Sequence, residues 1–182
     1  MYGYGSSYYN NYENYYDPDK YIQMVGVSLG WGKRLRWPDD YFTLSVQLAY
    51  QRYMMKNWSY MLMTNGNANN LNLTIALNRT STDNQLFPRR GSEFEASVNL
   101  TPPWSAFDNK DYKNLANNAN SPTYSEEQQE KYRWIEYHKW KFKAKTYTAL
   151  TSGQKCLVLM TRVELGLLGA YNKYKKSPFE TY

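Results

Sequence analysis

Six stretches of the chain alternate apolar and polar residues with a period of two, and this alternation limits the fold more than any other feature. The stretch around Phe42 shows it best: Phe42, Leu44, Val46, Leu48 and Tyr50 fall on one parity, Thr43, Ser45, Gln47, Ala49 and Gln51 on the other. Successive side chains of a strand point to opposite faces, so such a segment has one apolar and one polar face. The pattern returns at Leu71, Leu73, Ile75 and Leu77 against Asn70, Asn72, Thr74 and Asn78, and at Phe94, Ala96, Val98 and Leu100 against Glu93, Glu95, Ser97 and Asn99. Each repeat is about ten residues, the length at which a tilted strand crosses a bilayer. The expected fold class is all-β: an antiparallel transmembrane β-barrel wall, apolar outside and hydrophilic inside.

The order of the connections agrees. Strands are expected at about 21–35, 41–55, 69–81, 91–101, 133–149 and 155–171. The connections after the first, third and fifth are short and rich in turn formers: Trp37-Pro38-Asp39-Asp40, Thr82-Asp83-Asn84 with Phe87-Pro88-Arg89-Arg90-Gly91, and Thr151-Ser152-Gly153. The others are long: a Tyr/Asn-rich loop over 1–20, the segment Lys56–Asn69, and a polar loop over 102–132, with a further loop opening at 175–182. Transmembrane barrels sort their connections this way, short turns at the periplasmic end and long loops outside. Residues 21–182 therefore read as a partial outer-membrane barrel of about six strands, an open curved sheet, with residues 1–20 as an extracellular loop.

Composition removes other classes. Mean hydropathy is -0.82 and no apolar run approaches the ~20 residues of a membrane helix. A barrel needs no such run, because only every second strand residue faces lipid. The 20 Tyr and 6 Trp suit interfacial girdles. Trp31, Trp37 and Tyr41 are expected at the short-turn end, and Tyr50, Tyr53, Trp58, Trp134 and Tyr137 toward the long loops. Cys156 is the sole cysteine, so no intrachain disulfide forms, and His138 is the sole histidine. Met1 leads into Tyr2-Gly3-Tyr4-Gly5 with neither a basic nor an apolar leader region, which suggests an internal piece of a longer protein.

The net charge of +6 raises nucleic acid as a partner. Lys139, Lys141, Lys143 and Lys145 alternate with Trp140, Phe142 and Ala144. All four lysines share one parity, so they are expected on the inner face, behind an outward aromatic row. Glu93, Glu95 and Glu164 are available there as partners. On the sixth strand Leu157, Leu159, Val163, Leu165 and Leu167 share the outer parity, opposite Met160, Arg162 and Glu164. Glu93 and Glu95 read as a solvated strand face rather than an acid/base pair. The sequence assigns no catalytic, cofactor-binding or metal residues, and neither enzyme activity nor nucleic-acid binding is expected.

Five segments in order resemble one family. Gly30-Trp31-Gly32-Lys33-Arg34-Leu35-Arg36-Trp37-Pro38-Asp39-Asp40-Tyr41-Phe42 is similar to a strand–turn–strand of the BamA/TamA/Sam50 superfamily of outer-membrane β-barrel insertases. So are Asn78–Asn84 running into the Phe87-Pro88-Arg89-Arg90-Gly91 turn, Leu100–Ser105, Tyr137–Lys143 and Lys176–Glu180. The resemblance implies a sixteen-stranded barrel preceded by periplasmic POTRA domains. Such a barrel opens between its first and last strands and templates client barrels into the membrane. This chain would be the middle of that barrel, without POTRA domains, seam strands or the Val-Arg-Gly loop motif, so no site residue carries over. The implied partners are outer-membrane lipid, unfolded β-barrel clients and accessory assembly subunits, in the outer membrane of a Gram-negative bacterium. Two other readings stay open: a porin- or transporter-type barrel, and a soluble Tyr-rich β-protein binding glycans or nucleic acid.

Overall fold

The computed structural model describes residues 20–58, 64–108, 110–153 and 156–177. Six strands follow one another: β1 (Tyr21–Arg34), β2 (Phe42–Lys56), β3 (Gly66–Thr80), β4 (Gly91–Leu100), β5 (His138–Ala149) and β6 (Val158–Gly169). They form one open antiparallel sheet in the order β1-β2-β3-β4-β5-β6, with β1 and β6 at the edges. Every neighbour in space is a neighbour in sequence, as in an up-and-down barrel wall. No helix among the described residues is long and apolar enough to cross a membrane, which says nothing of crossing by strands.

The sequence expectations need correction at the long-loop end. The loop over 102–132 contains two helices, α1 (Trp104–Phe107) and α2 (Tyr124–Tyr132). The fifth strand was expected from about 133 and begins at His138. β4 stops at Leu100, opposite Leu73, while β3 extends back to Gly66. The freed upper part of β3 therefore needs another partner, and residues 133–135 provide it. Asn69 N–H donates to Arg133 O (2.9 Å), Ile135 N–H donates to Asn69 O (2.8 Å), and Trp134 bridges Asn69 in parallel. Residues 133–135 thus bond to β3 instead of opening β5, while Tyr137 pairs with Thr101 just beyond β4, its O accepting Thr101 N–H (3.1 Å). The third strand starts at Gly66 rather than about 69, because its hairpin pairing continues to Met55↔Gly66. The sixth ends at Gly169, where β5 begins opposite it. The expected loop over residues 1–19, part of the second connection (59–63), Lys155 at the expected start of the sixth strand, and residues 178–182 lie outside the described residues.

The short turns are closed by side chains. Asp83 Oδ1 accepts the Arg89 and Arg90 N–H groups (2.9 and 3.1 Å), and Gly91 takes φ +114°. A Cβ at Gly91 would lie 2.3 Å from Ser81 O, so only glycine fits this turn. Arg79 ties this turn to the preceding one, donating from Nε and Nη2 to Asp39 Oδ2 (2.9 and 2.8 Å) and from Nη1 to the Ser81 and Ser92 hydroxyls. That hydrogen-bonded pair holds the Asp39 carboxyl below its ordinary pKa of 3.8.

Candidate functional site: a two-faced wall

The register joins the apolar parities into one face. A single row runs Trp31↔Val46↔Ile75↔Val98↔Trp140↔Leu167 across all six strands, and the next runs Lys33↔Leu44↔Leu77↔Ala96↔Phe142↔Leu165. Opposite residues of paired strands share a face, so the expected outer set from Phe42 to Leu165 is continuous. Much of it is bare: Val27 is 70% exposed, Leu29 78%, Leu165 63% and Leu167 68%. An uncovered apolar face this wide is outside what soluble monomers tolerate.

The apolar band also slides across the sheet. On β1 it runs from Val25 to Trp31; on β6 it runs down from Leu167 to Leu159 and continues at Leu157, just before the strand. Trp31, which ends the β1 band toward the short turns, occupies the same row as Leu167, which begins the β6 band at the long-loop end. A membrane slab meeting upright strands would cut every strand at one row. A band that slides along the strands means they are tilted, as barrel strands are by ~35–45°.

The inner face carries the small and charged residues. Gly32, Ser45, Ala76, Ser97, Lys141 and Gly166 form one row; Arg34, Thr43, Asn78, Glu95, Lys143 and Glu164 form the next. Lys139, Lys141, Lys143 and Lys145 all lie on this face with Gln47, Asn72, Glu95 and Arg162, as their parity required. Lys145 pairs with Glu93 at 3.1 Å and Lys143 with Glu95 at 3.6 Å, both directly across β4–β5. Glu164 is engaged along its own strand by Arg162. Lys143 and Lys145 are thereby committed within the wall.

A family model for the Omp85 superfamily domain matches residues 3–182. The chain belongs to the Omp85 superfamily. No curated protein matches the sequence. The superfamily is an outer-membrane one, concerned generally with protein insertion or secretion, and the sliding, lipid-compatible face agrees with that setting.

The sequence reading missed a buried layer that this Omp85 chain builds over the inner face at its long-loop end. Met55, Ala68, Ile135 and Tyr137 are buried together, with Ile22, Tyr53, Trp58, Tyr132 and Leu168 packed on them. Tyr53, Trp58 and Tyr137 therefore belong to this cluster rather than to an outward girdle, and Trp134 stacks on Trp104 at 4.5 Å. Tyr53 shares β2 with the lipid-facing residues but has the opposite parity, and that was the available signal. The expected girdle at the short-turn end is present: Trp31 is 58%, Trp37 83% and Tyr41 52% exposed.

A buried polar knot locks the layer. The Glu136 carboxylate accepts Ser105 N–H (2.8 Å) and Ser105 O–H (2.7 Å) and faces Lys175 Nζ at 3.7 Å. The Glu136 and Lys175 side chains are 0% and 4% exposed. Burial pushes the Lys175 pKa down, opposed by the charges of Glu136 and Asp108. Lys175 also lies 4.8 Å from the Tyr112 ring, whose hydroxyl bonds Asp108. Burial first, then the Asp108 charge, pushes the Tyr112 phenol up to about 12. Gln129 of α2 pairs with the β3 edge through both amide atoms, accepting Asn67 N–H and donating to Asn67 O. Among the described residues no group of three His, Cys, Asp or Glu side chains is placed to hold a metal ion. His138 instead accepts from Trp140 Nε1 and stacks near Tyr171.

Proposed function

We propose that this chain is part of the barrel domain of an outer-membrane protein assembly factor that folds β-barrel proteins and inserts them into the bacterial outer membrane. The observation that carries the reading is the continuous, sliding apolar face over six registered strands in a chain of the Omp85 superfamily. The five ordered sequence segments that resemble the BamA/TamA/Sam50 superfamily favour insertion over secretion. The proposed partners are outer-membrane lipid, unfolded β-barrel clients and accessory assembly subunits. The chemistry needed is non-covalent: strand edges offer main-chain pairing, which gives affinity with little demand on side chains, and the bilayer leaves a client no other way to satisfy its backbone. Neither catalysis nor a cofactor is part of the proposal.

Depletion of the protein containing this chain tests the reading. Levels of many unrelated outer-membrane barrels should fall together in membrane fractions. Loss of uptake or export of one solute or protein, with other barrels intact, would replace it with the transporter reading.

A further inference from the structure

The turns after β3 and β5 stand on either side of a cleft of about 320 Å³. Asp83, Arg89 and Arg90 line one side, and Thr151, Ser152 and Gly153 the other. Ala149, which also lines it, has the parity of Lys145 and Tyr147, and Tyr147 pairs with Gly91 in the same inner row. The cleft therefore opens at the inner-face end of the wall, toward the aqueous mouth and away from the lipid face.

The turn that carries the arginines is fixed by its own polar side chains. Asp83 Oδ1 accepts the Arg89 and Arg90 N–H groups, and Asn84 Oδ1 accepts those of Leu86 and Phe87 (2.9 and 3.3 Å). The side chains of Leu86, Phe87, Arg89 and Arg90 are left exposed, Leu86 to 81% and Phe87 to 80%. Among the described residues no ion pair or hydrogen bond engages either guanidinium. Across the cleft Ser152 is exposed and the Cβ position of Gly153 meets open space. Residues 33–41, 79–91 and 150–157 carry seven cations against three carboxylates, and one of these, Asp39, is held by Arg79.

We propose that this cleft docks an acidic peptide segment of a protein in the aqueous compartment at the short-turn end, with Arg89 and Arg90 pairing with its carboxylates and Leu86 and Phe87 covering its apolar residues. The inference takes only the compartment from the membrane-wall reading above. Guanidinium groups match carboxylates in planar, paired geometry. A backbone already fixed by Asp83 and Asn84 presents these side chains at little further ordering cost, and arginine beside an aromatic ring is the composition of interface cores. The volume is roughly ten times a water's share of the liquid, room for side chains rather than one small anion, and Leu86 and Phe87 would offer such an anion nothing.

Fluorescence anisotropy of the chain in neutral detergent micelles tests this. The probe is a fluorescein-labelled octapeptide of alternating glutamate and leucine, with a glutamine-for-glutamate version as control and binding to protein-free micelles subtracted. The wild type should bind the glutamate peptide in preference to the control. R89Q/R90Q should weaken that binding about tenfold. The variant keeps every backbone hydrogen bond to Asp83, so its strand content by circular dichroism should match the wild type. S152W fills the cleft without removing charge and should abolish binding, while R36Q, in the first turn, should leave it within about twofold. Equal binding of the two peptides, or equal losses in R36Q and R89Q/R90Q, would overturn the proposal. Full displacement by low millimolar inorganic phosphate, where chloride of the same ionic strength displaces nothing, would assign the cleft to a small anion instead. Displacement by phosphatidylglycerol added to the micelles would assign the arginines to a lipid surface and equally overturn it. Peptide binding is read without client barrels, so its failure leaves the insertion reading standing.

Discussion

Two glycines at short turns separate conformational need from crowding. Gly91 has φ +114°, and a Cβ there would meet Ser81 O at 2.3 Å and Thr82 Cα at 2.7 Å; Gly153 has φ +121° and open space around it. Gly91→Ala should cost ~2 kcal/mol or more, and Gly153→Ala only ~1 kcal/mol, by urea unfolding in micelles. The Glu136–Lys175 pair makes a larger demand. Glu136→Gln alone leaves a buried ammonium without its counter-charge and should cost ~3 kcal/mol, while Glu136→Gln with Lys175→Met should recover much of that. A double variant no better than the single would show that the pair is not coupled. At the half-buried Asp39–Arg79 pair the folded carboxyl has the lower pKa. Its contribution is therefore present above pH 3.8 and is lost as pH falls through the depressed folded value. Asp39→Asn should flatten the acid limb of stability below about pH 4 and leave neutral pH little changed.

At the scale of strands and helices, parity decides what a substitution costs. Leu48→Lys places a charge on the lipid face and should cost ~2–4 kcal/mol near the bilayer midplane. Gln47→Lys, one residue away on the inner face, should be near neutral; equal costs would refute the face assignment. α2 is held to β3 by Gln129, so Gln129→Ala should raise amide exchange at Asn67 before it affects the β2–β3 ladder. The strands were legible because each carries its own period: the lysine row of β5 announced its inner face, and the leucines of β6 their outer one. The buried layer was not legible. Its Ile135 and Tyr137 sit in a segment that looks like the start of β5, and the early end of β4 at Leu100 leaves Ile135 to bond to Asn69 of β3 while Tyr137 stays with Thr101. Glu136 and Lys175 are 39 residues apart in sequence and meet through loop packing that no local pattern encodes. Nor did sequence reading single out the cleft of Arg89 and Arg90, because its far wall belongs to another turn.

At the scale of the molecule, the six described strands cannot close on themselves, since single-chain transmembrane barrels need at least eight. The described sheet has two free edges, β1 and β6, and a bare apolar face. Both features favour association, so the chain alone should aggregate in plain buffer and become monodisperse in detergent. A monodisperse monomer melting cooperatively without detergent would contradict this. The central claim is that one face of the sheet meets lipid and the other does not. Spin labels placed singly at positions 43–49 of β2, in a Cys156→Ser background and in bilayers, test it most directly through collision with oxygen and with a water-soluble nickel chelate. The expected result is a period of two, with oxygen highest at positions 44, 46 and 48 and nickel highest at 43, 45, 47 and 49. A flat profile, or the opposite phase, would contradict the membrane wall.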